Sequence, residues 1–304
     1  MKNFILLTII IAFAFYSNNS NCQSNNYLKK QVVRLGALNN IIDGVDVKDA
    51  DVAFKILTDA FIKRLRSKKI YDFDFEGKIY SDLKTLKADV DNNNINFFNV
   101  SVIEYLTIVD RTNFKPFLSG TNDPNNKFDI YLLITNSKNK VSDIKQLKNI
   151  SISIPKSMET NIGEYWLKTV LREELGKMNY KTITFLTSKQ SDTEAMLSVF
   201  FGKTDYVLIS QGSYNLGCEL NPSLKSKIKI LDKSGLLLRG IFAFKVGSDP
   251  STVKAITDVA LDIHKDVEGK QILNLFKIQK IVEVTEKDIL ESEAVINKYN
   301  KYFK

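Results

Sequence analysis

Residues 191–211 read Ser-Asp-Thr-Glu-Ala-Met-Leu-Ser-Val-Phe-Phe-Gly-Lys-Thr-Asp-Tyr-Val-Leu-Ile-Ser-Gln. Ser191 with Glu194 three residues on is the pattern of a capped helix start. Ala195, Met196, Val199 and Phe200 then supply one apolar face, and Gly202 ends the helix. Residues 206–209 form a short apolar β-type run, and the polar Ser210-Gln211 closes it. Helix, glycine stop, buried strand and polar exit make one unit of an α/β layer.

The same alternation extends in both directions. Strands are predicted over 182–186, 150–154 (ended by Pro155) and 128–134, with helices over 161–175 and 141–148 between them. Ile162, Trp166, Leu167 and Val170 share one helical face. Nearer the start, strands are predicted over 31–37, 71–80 and 95–100, with helices over 49–69, 83–90 and 101–108. Phe54, Leu57, Phe61 and Leu65 give the first of those helices its spacing. Later, 237–246 reads as a strand, and 251–267 and 286–304 read as helices. Such alternation predicts an α/β fold with largely parallel sheets, in two blocks that divide near Asn136. No Pro- or Gly-rich linker separates the blocks, so two lobes joined by crossing strands are expected. The expected division is 23–136 plus 237–304 for one lobe and 137–236 for the other.

The first 22 residues read differently. Lys2 gives a basic start, and residues 4–15 are an almost unbroken apolar run, too short to span a bilayer. Polar residues up to Cys22 follow, which is the layout of an export signal. Cleavage after Cys22 and lipidation of Cys22 are both open. Either outcome leaves Cys218 without a disulfide partner, which an exported domain of this size does not need.

The formal charge is +8, but the lysines are interleaved with acidic residues and form no dense basic tract. That pattern describes a solvated surface and argues against nucleic acid as a partner. No Ser-hydrolase elbow, zinc-protease helix or P-loop pattern occurs, and no Cys pair suits a metal or redox site. No cofactor is implied. His264, the only histidine, sits on a late helix and reads as structural.

In open α/β sheets, ligands bind beyond the carboxyl ends of strands, where helix N-termini offer N–H groups. Five strand-to-helix junctions carry small polar residues there. They are Asn39 with Asn40, Asn99 with Ser101, Ser157 with Glu159 and Thr160, Ser191 with Asp192, and Ser210 with Gln211. Asn161 with Glu164 forms a further cap pattern next to Thr160. A shared cleft would bring Ser157, Thr160, Ser191 and Ser210 of one lobe opposite Asn39 and Ser101 of the other.

Several stretches together resemble the phosphonate-binding-type periplasmic substrate-binding proteins of ABC importers. Residues 199–209 resemble the family's helix, G-x-x-D and strand element. Residues 264–270, His-Lys-Asp-Val-Glu-Gly-Lys, resemble its H-x-D-x-x-G segment, and 141–148 resembles its hinge-proximal helix. The resemblance runs from about Val32 to Phe303. It implies a two-lobed type II periplasmic-binding-protein-like fold, with crossings near 128–136 and 237–246 and His264 on a structural helix. It also implies a phosphonate- or phosphate-like ligand, against which three positions stand. Met158-Glu-Thr-Asn161 replaces the family's Ser-Thr-Ser-Gly run, Asp192 stands where the family has histidine, and Ser210 where it has aspartate. Glu159 would put a negative charge where those relatives hold anionic oxygens, and like unit charges about 4 Å apart repel by about 4 kcal/mol at an effective dielectric near 20.

These readings converge on an exported, monomeric solute-binding protein that captures a small polar ligand between its lobes. The permease of an ABC-type importer is its expected partner. One rival has the same module report to a membrane sensor kinase. The other is an enzyme on the same fold, for which Cys218 would be the thiol.

Overall fold

Val33, Ala37 and Leu38 are buried along the first strand, β1 (Lys30–Leu38). The structure is a computed structural model that describes residues 30–38, 47–67, 72–108, 112–122, 126–158, 161–276 and 278–304. The expected export signal lies outside these residues.

The chain first runs through α1 (Val47–Ser67), β2 (Asp72–Tyr80), α2 (Leu83–Asp91), β3 (Phe97–Ser101), α3 (Val102–Ile108) and β4 (Phe114–Thr121). It then builds β5 (Tyr131–Asn136), β6 (Ile150–Pro155), α4 (Ile162–Tyr180), β7 (Ile183–Ser188), α5 (Asp192–Phe200), β8 (Tyr206–Ser210), α6 (Gln211–Leu220), α7 (Leu224–Lys227) and β9 (Ile228–Lys233). A return segment supplies β10 (Gly240–Lys245), α8 (Pro250–Asp262), α9 (Val267–Leu275) and β11 (Lys280–Glu283), and α10 (Glu286–Phe303) comes last. Two sheets result, in the orders β11-β4-β10-β3-β1-β2 and β7-β6-β8-β5-β9.

Parallel pairing holds where strands alternate with helices, at β2–β1–β3 and β7–β6–β8. The strands on the other side of each sheet, β10, β4 and β11, and β5 and β9, pair antiparallel. The sheets are therefore mixed rather than largely parallel, because strands next to a crossing return without a helical crossover.

The border expected after residue 136 falls too late. Leu132, Leu133 and Ile134 are all buried, and β5 lies between β8 and β9 inside the second sheet. A strand covered on both faces needs apolar residues at every position, which this run provides. The last helix also departs from the expected division. It starts beside α3 and then packs along α4 of the second lobe, with Tyr299 stacked on Tyr165 at 3.8 Å between ring centres.

Local chemistry explains the element ends. Asp82 caps α2 by accepting from Thr85 N at 2.8 Å, and Asp249 caps α8, with Pro250 in its first turn. Gly176 (φ 69°) breaks α4 without ending it, so the helix runs past the expected stop at 175. The helix expected over 141–148 is a single turn at Ile144–Gln146, because Leu147 turns extended and buries its side chain before β6. The helix expected over 251–267 divides into α8, a turn at Ile263–Lys265 that holds His264, and α9. Among the described residues, no helix is long and apolar enough to cross a membrane.

Candidate functional site

The chain passes between the sheets twice, and the two passages touch. Asp129 N donates to Leu237 O at 2.7 Å, and Leu237 N donates to Asp129 O at 3.0 Å, an antiparallel bridge between the lobes. Arg239 follows on the returning strand. Its Nε lies 3.2 Å from Asp129 Oδ2, with the carboxylate nearly buried and the guanidinium partly open. Val102 N donates to Arg239 O at 3.0 Å, which ties the start of α3 to the crossing.

A cleft of 370 Å³ opens beside this bridge. The first lobe contributes Asn99, Ser101, Ile103 and Glu104, and the crossing contributes Arg239 and Gly240. The second lobe contributes Ser157, Asn161, Ile162 and Tyr165. Ser101 and Glu104 cap one another. Glu104 Oε2 accepts from Ser101 N at 2.8 Å, and Ser101 Oγ accepts from Glu104 N at 3.2 Å. The Ser101 hydroxyl proton and the Asn99 amide thus stand at the exit of β3, the location expected for ligand contact. Asn99 Nδ2 also donates to Ile241 O at 3.3 Å.

On the opposite wall, Asn161 Oδ1 caps α4 by accepting from Gly163 N at 2.8 Å and Glu164 N at 3.2 Å. Glu164 pairs with Lys168 at 2.6 Å. Tyr165 follows one turn into α4, and burial together with Tyr299 pushes its phenol above the ordinary value. Gly163 packs so tightly on Tyr131 that a Cβ there would lie 2.3 Å from the ring. The Tyr131 hydroxyl is buried, with Arg239 as its neighbouring cation. Burial raises its pKa most, and the Asp129 charge raises it further.

Behind Ser157 lies a network of three junctions. Ser157 Oγ donates to Asp192 Oδ1 at 2.7 Å, and Ser213 Oγ donates to Asp192 Oδ2 at 2.8 Å. Ser210 Oγ donates to Ser213 Oγ at 2.9 Å and accepts from Ser213 N at 3.1 Å as the cap of α6. Asp192 therefore sits one step behind the cleft, with both oxygens engaged by hydroxyls. Ser210 is buried and borders a small hollow with Asn122 and Asp129, next to the crossing.

The structure thus brings Asn99, Ser101 and Ser157 together on the cleft wall. It sets Asp192 and Ser210 behind that wall. Ser191 does not line the cleft, because it is exposed and occupied in a reciprocal cap with Glu194, at 2.8 Å and 3.3 Å. Asn39, Asn40, Glu159 and Thr160 lie outside the described residues. Sequence reasoning missed Arg239 and Tyr165 as cleft residues. It also missed the reciprocal cap of Ser101 and Glu104, although its S-x-x-E spacing was there to read. Cys218 is a buried free thiol within α6, and it is absent from the cleft wall. Among the described residues, no group of three metal-ligating side chains converges.

Residues 48–289 match the family model described as ABC transporter, phosphonate, periplasmic substrate-binding protein. Among solved structures, XAC2383 from Xanthomonas citri, bound to chloride ion, is 13% identical. The match covers 89% of this chain and 98% of that one, with a TM-score of 0.59. PhnD1 from Prochlorococcus marinus, in complex with methylphosphonate, is 15% identical over 89% and 98% of the two chains, with a TM-score of 0.58. A binding-protein component of an ABC phosphonate transporter from Pseudomonas aeruginosa is 12% identical over 89% and 87%, with a TM-score of 0.53. No curated protein matches the sequence. At these identities the structural likenesses show the shared two-lobed fold. The family match, which spans both lobes and the crossing, shows more: this chain belongs to the periplasmic substrate-binding proteins of ABC transporters, in the phosphonate-type family.

Proposed function

We propose that the protein captures a small solute in the cleft beside the Asp129–Leu237 bridge and presents it to the membrane permease of an ABC importer. Residues 1–22 act as its export signal in this reading. The carrying observation is that polar side chains from both lobes, Asn99 and Ser101 on one and Ser157 and Asn161 on the other, line one 370 Å³ space. That volume lies in the range of small-molecule sites, about 300–1,000 Å³. A ligand touching both walls favours the closed arrangement by its extra contacts there.

Arg239 gives the cleft a cation beside hydroxyl and amide donors, which suits a head group with acceptor oxygens. Glu104 on the wall and Asp192 behind Ser157 set a limit on how much negative charge that head carries. A head with one negative charge, or a neutral one rich in acceptors, meets both conditions better than a dianion does.

A thermal-shift screen over phosphonates, phosphate, sulfonates, amino acids and cationic solutes tests the proposal. A solute at a hundred times its Kd stabilises the protein by about 2.7 kcal/mol. Ser101→Ala and Ser157→Ala, from opposite lobes, are each expected to weaken that solute about tenfold, or ~1.4 kcal/mol, the size of a lost hydrogen bond. Binding that neither substitution alters would remove the cleft from the account.

A further inference from the structure

We infer that the first lobe carries a second binding site, separate from the solute cleft: a dry void beneath α1 that takes one compact apolar molecule.

The void measures 40 Å³ and lies between the first sheet and the helices that cover it. All six strands of that sheet border it, from Phe75 of β2 across to Ile281 of β11. Leu57 and Phe61 of α1 and Ile256 and Ala260 of α8 close it from the other side. It marks a seam in the core. On this face one packed cluster surrounds Leu118 and Ala260, and another surrounds Val33 and Ile256. Half-buried Phe61 and Phe117 touch both clusters, and the side chains around them leave the gap.

The lining decides the class of guest. Thr58 is its one polar side chain, and that hydroxyl donates to Lys55 O at 2.9 Å, so no polar atom faces the void. Water there lacks the two to four polar partners that hold a buried water. An ion or polar solute would give up its hydration without compensation. One water needs about 10–15 Å³ on the same measure, so the void has room for about three heavy atoms. An apolar guest of that size regains the dispersion contacts that the lining atoms lack across the gap. Leu57, Phe242 and Ile281 also border the solute cleft, so they form the partition between the two spaces.

Xenon is a suitable probe, being compact and apolar. Methyl-resolved NMR of the full mature chain under xenon pressure tests the inference. The methyl groups of Val33, Leu118 and Ile256, around the void, are expected to shift with pressure. Those of Ile103, Ile162 and Ile278, on the cleft wall, should stay in place. Ala260→Leu, which fills the void, should reduce the shifts about tenfold, because a close-packed interior leaves xenon no room. Leu118→Ala, which enlarges the void, should admit benzene, and its thermal midpoint should rise with benzene while that of the natural chain does not. Xenon shifts confined to the cleft methyl groups, or no shifts at all, would overturn the inference and leave the cleft reading untouched. Equal shifts in Ala260→Leu would overturn it too. Should Ala260→Leu fail to fold, Leu118→Ala decides the matter, and a midpoint that benzene does not raise ends the inference.

Discussion

Arg239 is held between two demands. It compensates Asp129, whose side chain is only 10% exposed, and it also faces the cleft. Arg239→Ala would leave a nearly buried carboxylate without its cation. Full burial would make that loss about 3–5 kcal/mol, and the partly open guanidinium reduces it to about 2 kcal/mol. Urea unfolding should show that loss, and Asp129→Asn in the same chain should recover most of it. Gly163 gives a sharper steric test. A methyl group there meets the fully buried Tyr131 ring, so Gly163→Ala should cost about 3 kcal/mol by the same assay. Gly176→Ala is the comparison, because its Cβ enters open space and only the backbone at φ 69° and ψ 172° opposes it, at about 1–3 kcal/mol. At this scale a small polar residue after a strand marked Asn99, Ser101 and Ser157, which line the cleft, but it marked Ser191 and Ser210 equally, and they do not. Arg239 carried no such mark. A cation inside a predicted strand has no spacing signature, and only the crossing reveals what it faces.

Two elements carry predictions of their own. The final helix, α10, fastens the crossing to the second lobe. Ser292 Oγ accepts from the buried Leu238 N at 3.0 Å, and Glu291 Oε2 accepts from Leu236 N at 2.7 Å. Ser292→Ala strands a buried donor and should lower stability by about 2 kcal/mol in denaturant titration. The corner formed by β2 and α2 responds to acid. Asp89 accepts from Lys78 Nζ at 2.8 Å, Tyr80 Oη at 2.7 Å and Asn94 Nδ2 at 3.0 Å. Those bonds, led by Lys78, hold its carboxyl well below the usual range. A lowered folded-state value stabilises above the unfolded value, about 4, and the benefit disappears as pH falls below it. Thermal midpoints measured from pH 5 to pH 2 should therefore fall less steeply in Asp89→Asn than in the natural chain. Equal slopes would contradict the assignment. Elements with capped helices and unbroken apolar runs were legible in advance. The strand β4 was not, because Pro116 and Gly120 read as breakers. In the sheet, Pro116 sits beside a register shift opposite β10, where a missing N–H is tolerated.

For the whole molecule, the two-sheet layout followed from helix and strand alternation, while the lobe border did not. Nothing in 128–136 distinguishes a strand that joins two sheets from one that already belongs to the second. The pairing of β5 with β8 and β9 settles that difference. Consequently the hinge is short. Mutual hydrogen bonds at Asp129 and Leu237 and at Tyr131 and Ser234, with Arg239 beside them, link the segments that pass between sheets, and α10 lies alongside as a brace. A short hinge allows the lobes to close as rigid bodies on a solute held by both walls. Small-angle X-ray scattering, with and without a saturating solute from the binding screen, tests this most directly. The account predicts a smaller radius of gyration when the cleft is filled. An unchanged scattering profile at full occupancy would contradict it.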